Sequence, residues 1–141
     1  MSAEAVFQDA LLARLAEHPE VQTVLGDPPR IHDGAPEGTA YPYLTVGRGV
    51  SELRDAADTD LIEHRLTLHL WTRDIARRDT KEALGTIRAA IHESSFALAA
   101  GFSLISCRVV YSDVFRTSDN RLAHGVLRVQ ALIQNTDGVN S

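Results

Sequence analysis

Six histidines, a single cysteine and a cluster of carboxylates are the side chains of this 141-residue chain best suited to chemistry. Metal ligation or acid–base work needs several such groups converging in a fixed geometry. His64 and His69 lie five apart in an alternating stretch, so they face opposite ways and do not chelate together. His18 and His32 fall in connecting segments and His92 near a helix end, which leaves His64 and His124 as the pair expected to meet across neighbouring strands. Two imidazoles without a cysteine or a placed carboxylate make a weak site, so the histidines are read as structural, and no metal and no cofactor is expected. Cys107 sits in the apolar alternation of a strand and reads as a small buried hydrophobe rather than a nucleophile. As the only cysteine it excludes an internal disulfide and is compatible with a reducing compartment. Gly47-Arg48-Gly49 lacks the third glycine and the following helix of a phosphate-binding loop.

The carboxylates Glu52, Asp55, Asp58 and Asp60 stand against a lone Arg54 in residues 51–60. The segment has no apolar period and is expected to be an exposed, mobile acidic loop, with the flanking strands running some way into it as a ribbon. Two readings of it stand: a solvated connection, or a contact surface or wall facing something negatively charged, because ten residues is long for a mere connection. With no catalytic constellation in view, no catalytic residue is assigned.

The element that positions these groups is Glu63-His64-Arg65-Leu66-Thr67-Leu68-His69-Leu70-Trp71. Leu66, Leu68 and Leu70 point one way with His64 at the end of their row, while Arg65, Thr67, His69 and Trp71 point the other. This is the pattern of a central strand with one face on a core. Trp71 reads either as an interface anchor or as a residue packed under a helix or loop, the second being favoured. Upstream, Ser2 is placed to cap a helix over 3–17 with Phe7, Leu11 and Leu15 in one stripe, ended by His18-Pro19. One further helical turn is expected over 20–25, stopped by Gly26, then a proline- and glycine-rich loop from 27 to 42 with a two- or three-residue edge strand at 30–32. Residues 43–50 read as a strand in which Gly47 and Gly49 mark a bulge or twist.

Downstream, Asp79 and Glu82 resemble a capping box, although helical register is also possible from Ile75, for a helix reaching about Glu93 through Leu84, Ile87 and Ile91. Gly85 in its middle is unfavourable unless a close backbone contact needs it. A loop over 94–101 carries the anchors Phe96 and Leu98. Two strands follow, over 102–111 with Ile105, Cys107, Val109 and Tyr111 on one face, and over 122–134, joined through the turn cluster Ser118-Asp119-Asn120. The fold class is therefore α+β: a mostly antiparallel sheet of about four main strands with two helices packed on one face. A single domain is expected over 1–134, with 135–141 as a disordered C-terminal tail.

Composition narrows the classes further. The net charge of −5 argues against a domain that binds nucleic acid by neutralising phosphates. Nothing approaches 18 consecutive apolar residues, so no membrane-spanning helix is expected, and Met1-Ser2-Ala3-Glu4 does not open a signal peptide. Thirteen of the 14 basic residues are arginine, which fits genomic codon bias more simply than bidentate pairing with carboxylates at interfaces.

Several of these pieces, in this order, resemble the small tail-completion proteins, or tail terminators, of long-tailed phages and gene transfer agents. They are Val24-Leu25-Gly26-Asp27, Arg30-Ile31-His32-Asp33, Tyr41-Pro42-Tyr43-Leu44-Thr45-Val46-Gly47, the stretch from Glu63 to Trp71, and His124-Gly125-Val126-Leu127-Arg128. The resemblance covers roughly residues 5 to 133. It implies a non-enzymatic structural protein that forms a homo-oligomeric ring, typically a hexamer, on the head-proximal end of the tail tube. Such a ring stops tube growth, meets the head connector or stopper protein, and lets DNA pass through its hole without specific binding. It implies residence in the host cytoplasm during assembly and then in the virion or gene transfer agent particle, with no membrane partner. Glu52, Arg54, Asp55, Asp58, Asp60 and Trp71 are the candidate assembly or lumen contacts. Two alternatives remain beside it: a head–tail connector or stopper of the same particle, and a small ligand-binding or enzymatic α+β domain.

Overall fold

The computed structural model describes residues 2–55, 60–73 and 78–136. Helix α1 (Ala3–Glu17) starts where Ser2 Oγ accepts a hydrogen bond from the Ala5 N–H at 3.1 Å, and it ends at the extended backbone of His18, which Pro19 imposes. Pro19 then opens α2 (Pro19–Leu25), a helix of seven residues that closes on Gly26 at φ 94°. Strand β1 (Ile31–His32) is followed by β2 (Tyr43–Leu53), β3 (Leu61–Thr72), α3 (Arg78–Ile91), β4 (Phe102–Arg116) and β5 (Ala123–Asn135). Asp79 already lies inside α3 rather than capping it, and a start near Ile75 falls outside the described residues.

The five strands form one sheet in the order β1-β2-β3-β5-β4. The sheet is mixed: β1 runs parallel to β2 through Ile31–Leu44 and His32–Thr45 pairs, and the other pairs are antiparallel. It therefore has one strand and one helix more than the sequence pattern's four and two. β3 is central, paired to β2 on one side and to β5 along its whole length on the other. His64, Leu66, Leu68, Leu70 and Thr72 are buried in alternation along it, as the period of two requires. Opposite them, Phe7, Leu11 and Leu15 of α1, Val21 and Leu25 of α2, and Leu84, Ile87 and Ile91 of α3 complete a single core. All the described helices thus cover the same face, and among the described residues no layer covers the other face of the sheet.

Strand β4 departs from the expected alternation. Its register against β5 slips between Leu104 and Ser106 and again between Val109 and Tyr111, so Ile105 and Val110 are bulge residues. Leu104, Cys107, Val109 and Val114 face the core, while Tyr111 is turned to the outer face and Ile105 is 50% exposed. β4 runs on to Arg116, past the expected end at 111, while β5 covers Ala123–Asn135, one residue along from the expected 122–134, leaving a connection over 117–122. There Asn120 takes a positive φ of 61° and Asp119 Oδ1 accepts from the Thr117 hydroxyl and the Arg121 N–H. At the C-terminus, Asn135 and Thr136 are held rather than free: their N–H groups donate to the carbonyls of Asp60 and Gly101 at 3.0 and 2.8 Å. The remainder of the expected tail lies outside the described residues.

Leu68, fully buried at the centre of the sheet, is expected to cost about 2–5 kcal/mol when changed to alanine. Leu53, 69% exposed at the far end of β2, is expected to shift stability by less than about 0.5 kcal/mol on the same change. Urea unfolding of the two variants checks both numbers.

Candidate functional site

Two groups of side chains occupy the uncovered face, one near each end of the strands. At the ribbon end, Glu52 of β2 and Glu63 of β3 are register partners, so two like charges stand opposite each other. Arg54 and Arg65 resolve this by each bridging both carboxylates. Arg65 pairs with Glu52 at 2.9 Å and with Glu63 at 2.5 Å, and Arg54 pairs with each at 3.3 Å. The Arg65 hydrogen bond, helped by the charge of Arg54, holds the Glu52 carboxyl below its ordinary value. Beyond this network, the carboxylate of Asp55 accepts the Leu61 N–H at 3.1 Å and the Arg54 N–H donates to the Leu61 carbonyl, closing the base of the β2–β3 connection. The candidates Glu52, Arg54, Asp55 and Asp60 are therefore gathered on or beside one ribbon, with the arginine neutralising part of it. Asp58 lies outside the described residues.

At the other end the face carries stacked rings. Trp71 lies over His124 with ring centres 3.9 Å apart and donates its indole N–H to the Thr45 hydroxyl at 3.1 Å. His124 also meets Phe115 at 4.8 Å, and His69 Nδ1 stands 2.8 Å from His124 Nε2. Trp71 thus packs against neighbouring strands of its own sheet on the face away from the helices, not under a helix or loop, the placement the sequence pattern favours. The histidine partnership is different from the one expected: His124 meets His69, and His64 is paired in register with Ala131 on the core face. His64 there shares a 2.8 Å hydrogen bond with the Ser51 hydroxyl, which also donates to Glu4 at 2.7 Å, and it presents its ring to Phe7.

The signal in the sequence that marks these two histidine positions is the glycine pair of β2. A Cβ on Gly47 would come within 2.5 Å of His69 Nε2, and one on Gly49 within 2.9 Å of His64 Cε1. Each glycine clears room for an imidazole, one on each face, at the bulge where β2 slips against β3 between Val46 and Gly49.

Chemically this arrangement is undemanding. Two imidazoles that hydrogen-bond each other spend those nitrogens on one another, and among the described residues no group of three or more His, Cys, Asp or Glu is placed to hold a metal ion. Cys107 is buried, and burial pushes its thiol up to about 11, so it is not a thiolate at neutral pH. Among the described residues no helix is long and apolar enough to cross a membrane.

The fold is thus an α+β domain with helices on one face of its sheet and rings and paired charges on the other. The family model described as Tail completion protein gp17 matches residues 9–134, and the chain belongs to that family. It is a structural protein of the phage tail class. Among solved structures, a chain of the virion of a native gene transfer agent (GTA) particle has the same fold: TM-score 0.84 and 15% identity, covering 94% of this chain and 98% of that one. No curated protein matches by sequence.

The histidines give a pH dependence with a definite sign. Burial is the leading cause that holds His64, His69 and His124 below the ordinary imidazole value, and for His124 the neighbouring His69 acts in the same direction. Their contribution to stability is complete above the unfolded imidazole value of about 6.5 and is lost as the pH falls through the lower folded values. Urea midpoints are expected to drop between pH 7.5 and pH 5, and the drop to shrink in the His69→Gln/His124→Gln variant.

Proposed function

We propose that this chain is a non-enzymatic tail terminator: six copies close into a ring on the head-proximal end of the tail tube, stop its growth and join it to the head connector. The observation that carries this reading is the match to the tail-completion family over residues 9–134. The physical chemistry is consistent with it. A ring of identical chains needs two different complementary patches per copy, and the uncovered sheet face and the projecting β2–β3 ribbon offer such surface. The net charge of −5 suits a lumen through which DNA slides without adhering, since phosphate-neutralising residues are not in excess. We assign Glu52, Arg54, Asp55, Asp58 and Asp60 to assembly contacts, and Trp71 to holding the outer face in shape.

Assembly proceeds in the host cytoplasm, and the finished ring resides in the virion or gene transfer agent particle. Electron microscopy of particles assembled without this protein tests the role. Overlong or unfinished tubes are expected; tails of normal length detached from heads would instead identify a head–tail connector.

A further inference from the structure

Glycine is the least favourable residue for a helix interior after proline, yet Gly85 sits in the middle of α3. At Gly47, Gly49 and Gly125 a Cβ would press on His69, His64 and Leu84, so contacts within the chain account for them. At Gly85 a Cβ would meet nothing within 4 Å. No contact among the described residues requires glycine there. It lines a groove of about 360 Å³ between α3 and β4, with Lys81, Leu84 and Arg88 on the helix side and Asp113 and Val114 on the strand side. A bare helix backbone in an open groove is what close approach by another surface needs.

A fitting surface lies at the opposite corner of the same molecule. Leu53 is 69% exposed on the β2–β3 ribbon, more than any other exposed large hydrophobic among the described residues. Its ribbon carries Glu52, Asp55, Asp60 and Glu63 against Arg54 and Arg65, a negative excess, while the groove sets Lys81 and Arg88 against Asp113, a positive one. In register, Leu53 shares a row with Ile62 and Ile133, and the groove residues Asp113 and Val114 share rows with Val126 and Gly125. Along β5 these rows are about 23 Å apart, and β2 lies three strands from β4, about 14 Å across the sheet. The two surfaces do not overlap, so each copy can give one and receive the other, which is the requirement for a head-to-tail contact.

Sheet extension through β4 is obstructed at its middle. The Glu93 N–H donates to the Cys107 carbonyl at 2.8 Å, and the Val109 N–H donates to His92 Nδ1 at 2.9 Å, so the turn after α3 occupies that edge. A neighbour therefore meets this side of the molecule through side chains in the groove.

We propose that adjacent copies are joined by seating Leu53 and the acidic ribbon of one copy over Gly85, in the α3–β4 groove of the next. The contact rests on the ring reading above and names its joint. Its centre is Leu53 against the bare backbone at Gly85 and the half-buried Val114, and its rim is carboxylate against Lys81 and Arg88, weakened by salt.

The test compares the full-length chain with Leu53→Asp and Gly85→Leu by native mass spectrometry and melting temperature, alone and with purified tail tubes. The wild-type chain is expected to give closed oligomers and both variants only monomers. At a dilution where the wild-type chain is also monomeric, Gly85→Leu is expected to melt higher by roughly 2–5 °C, because leucine favours the helix, which separates loss of contact from loss of fold. A Leu53→Cys/Gly85→Cys variant is expected to form an oxidised intermolecular ladder, since the two positions are too far apart to bridge within one copy. Wild-type rings with both point variants assembling equally, or no ladder, overturn this contact and leave the ring standing. A wild-type chain that stays monomeric even on tail tubes overturns both.

Discussion

Everything in this fold depends on β3 being hydrogen-bonded on both sides while only one of its faces is sealed. His64, Leu66, Leu68, Leu70 and Thr72 lie beneath the helices, and pairing with β5 continues from Leu61 to Thr72 without a break. Burying that leucine row stabilises the domain by roughly 1.5–3 kcal/mol per side chain. The same strand then carries a second row, Arg65, Thr67, His69 and Trp71, which no described helix covers. The sheet answers with local solutions: Trp71 and Phe115 pack on His124, and Arg54 and Arg65 neutralise Glu52 and Glu63. These groups keep the face ordered and partly polar while leaving its margins available to partners.

That division accounts for the absence of an obvious catalytic arrangement among the described residues. His64 and His69 are matched to glycines and His69 to His124, the cysteine is sealed against Ala131 in the sheet, Glu52 and Glu63 are held by arginines, and Asp55 is held by the Leu61 N–H. Side chains that would invite a chemical reading are committed to holding a β-ribbon and a bare sheet face in shape. Exposed ion pairs of this kind contribute little each, so the ribbon network matters more for geometry than for stability.

Much of the architecture was legible because it follows from period. The alternation from Glu63 to Trp71, the stripe of α1 with its Ser2 cap, and the bulge at Gly47 and Gly49 all appear where the residues place them. What was not legible follows from register. β3 and β5 are not joined by a turn, so nothing local says that His124 stands beside Trp71 and near His69 rather than opposite His64. The bulges at Ile105 and Val110 carry no glycine or proline to announce them, and each slips the alternation of β4 by one residue, which sends Tyr111 to the outer face. A two-residue parallel strand has too little pattern to fix its partner, although Ile31–His32 was placed correctly along the chain. For the candidate contacts, the ribbon was foreseeable from its length and acidity; its neutralisation by Arg65 across the strands was not.

The central claim is that this protein acts by position, as a closed ring at one end of a tube. Electron cryomicroscopy of intact tails, with this chain located in the density, tests it most directly. The account predicts six copies in a single ring at the head-proximal end of each tail and none along the tube. Copies distributed along the tube, or tails of normal length and attachment that lack the chain altogether, would contradict it.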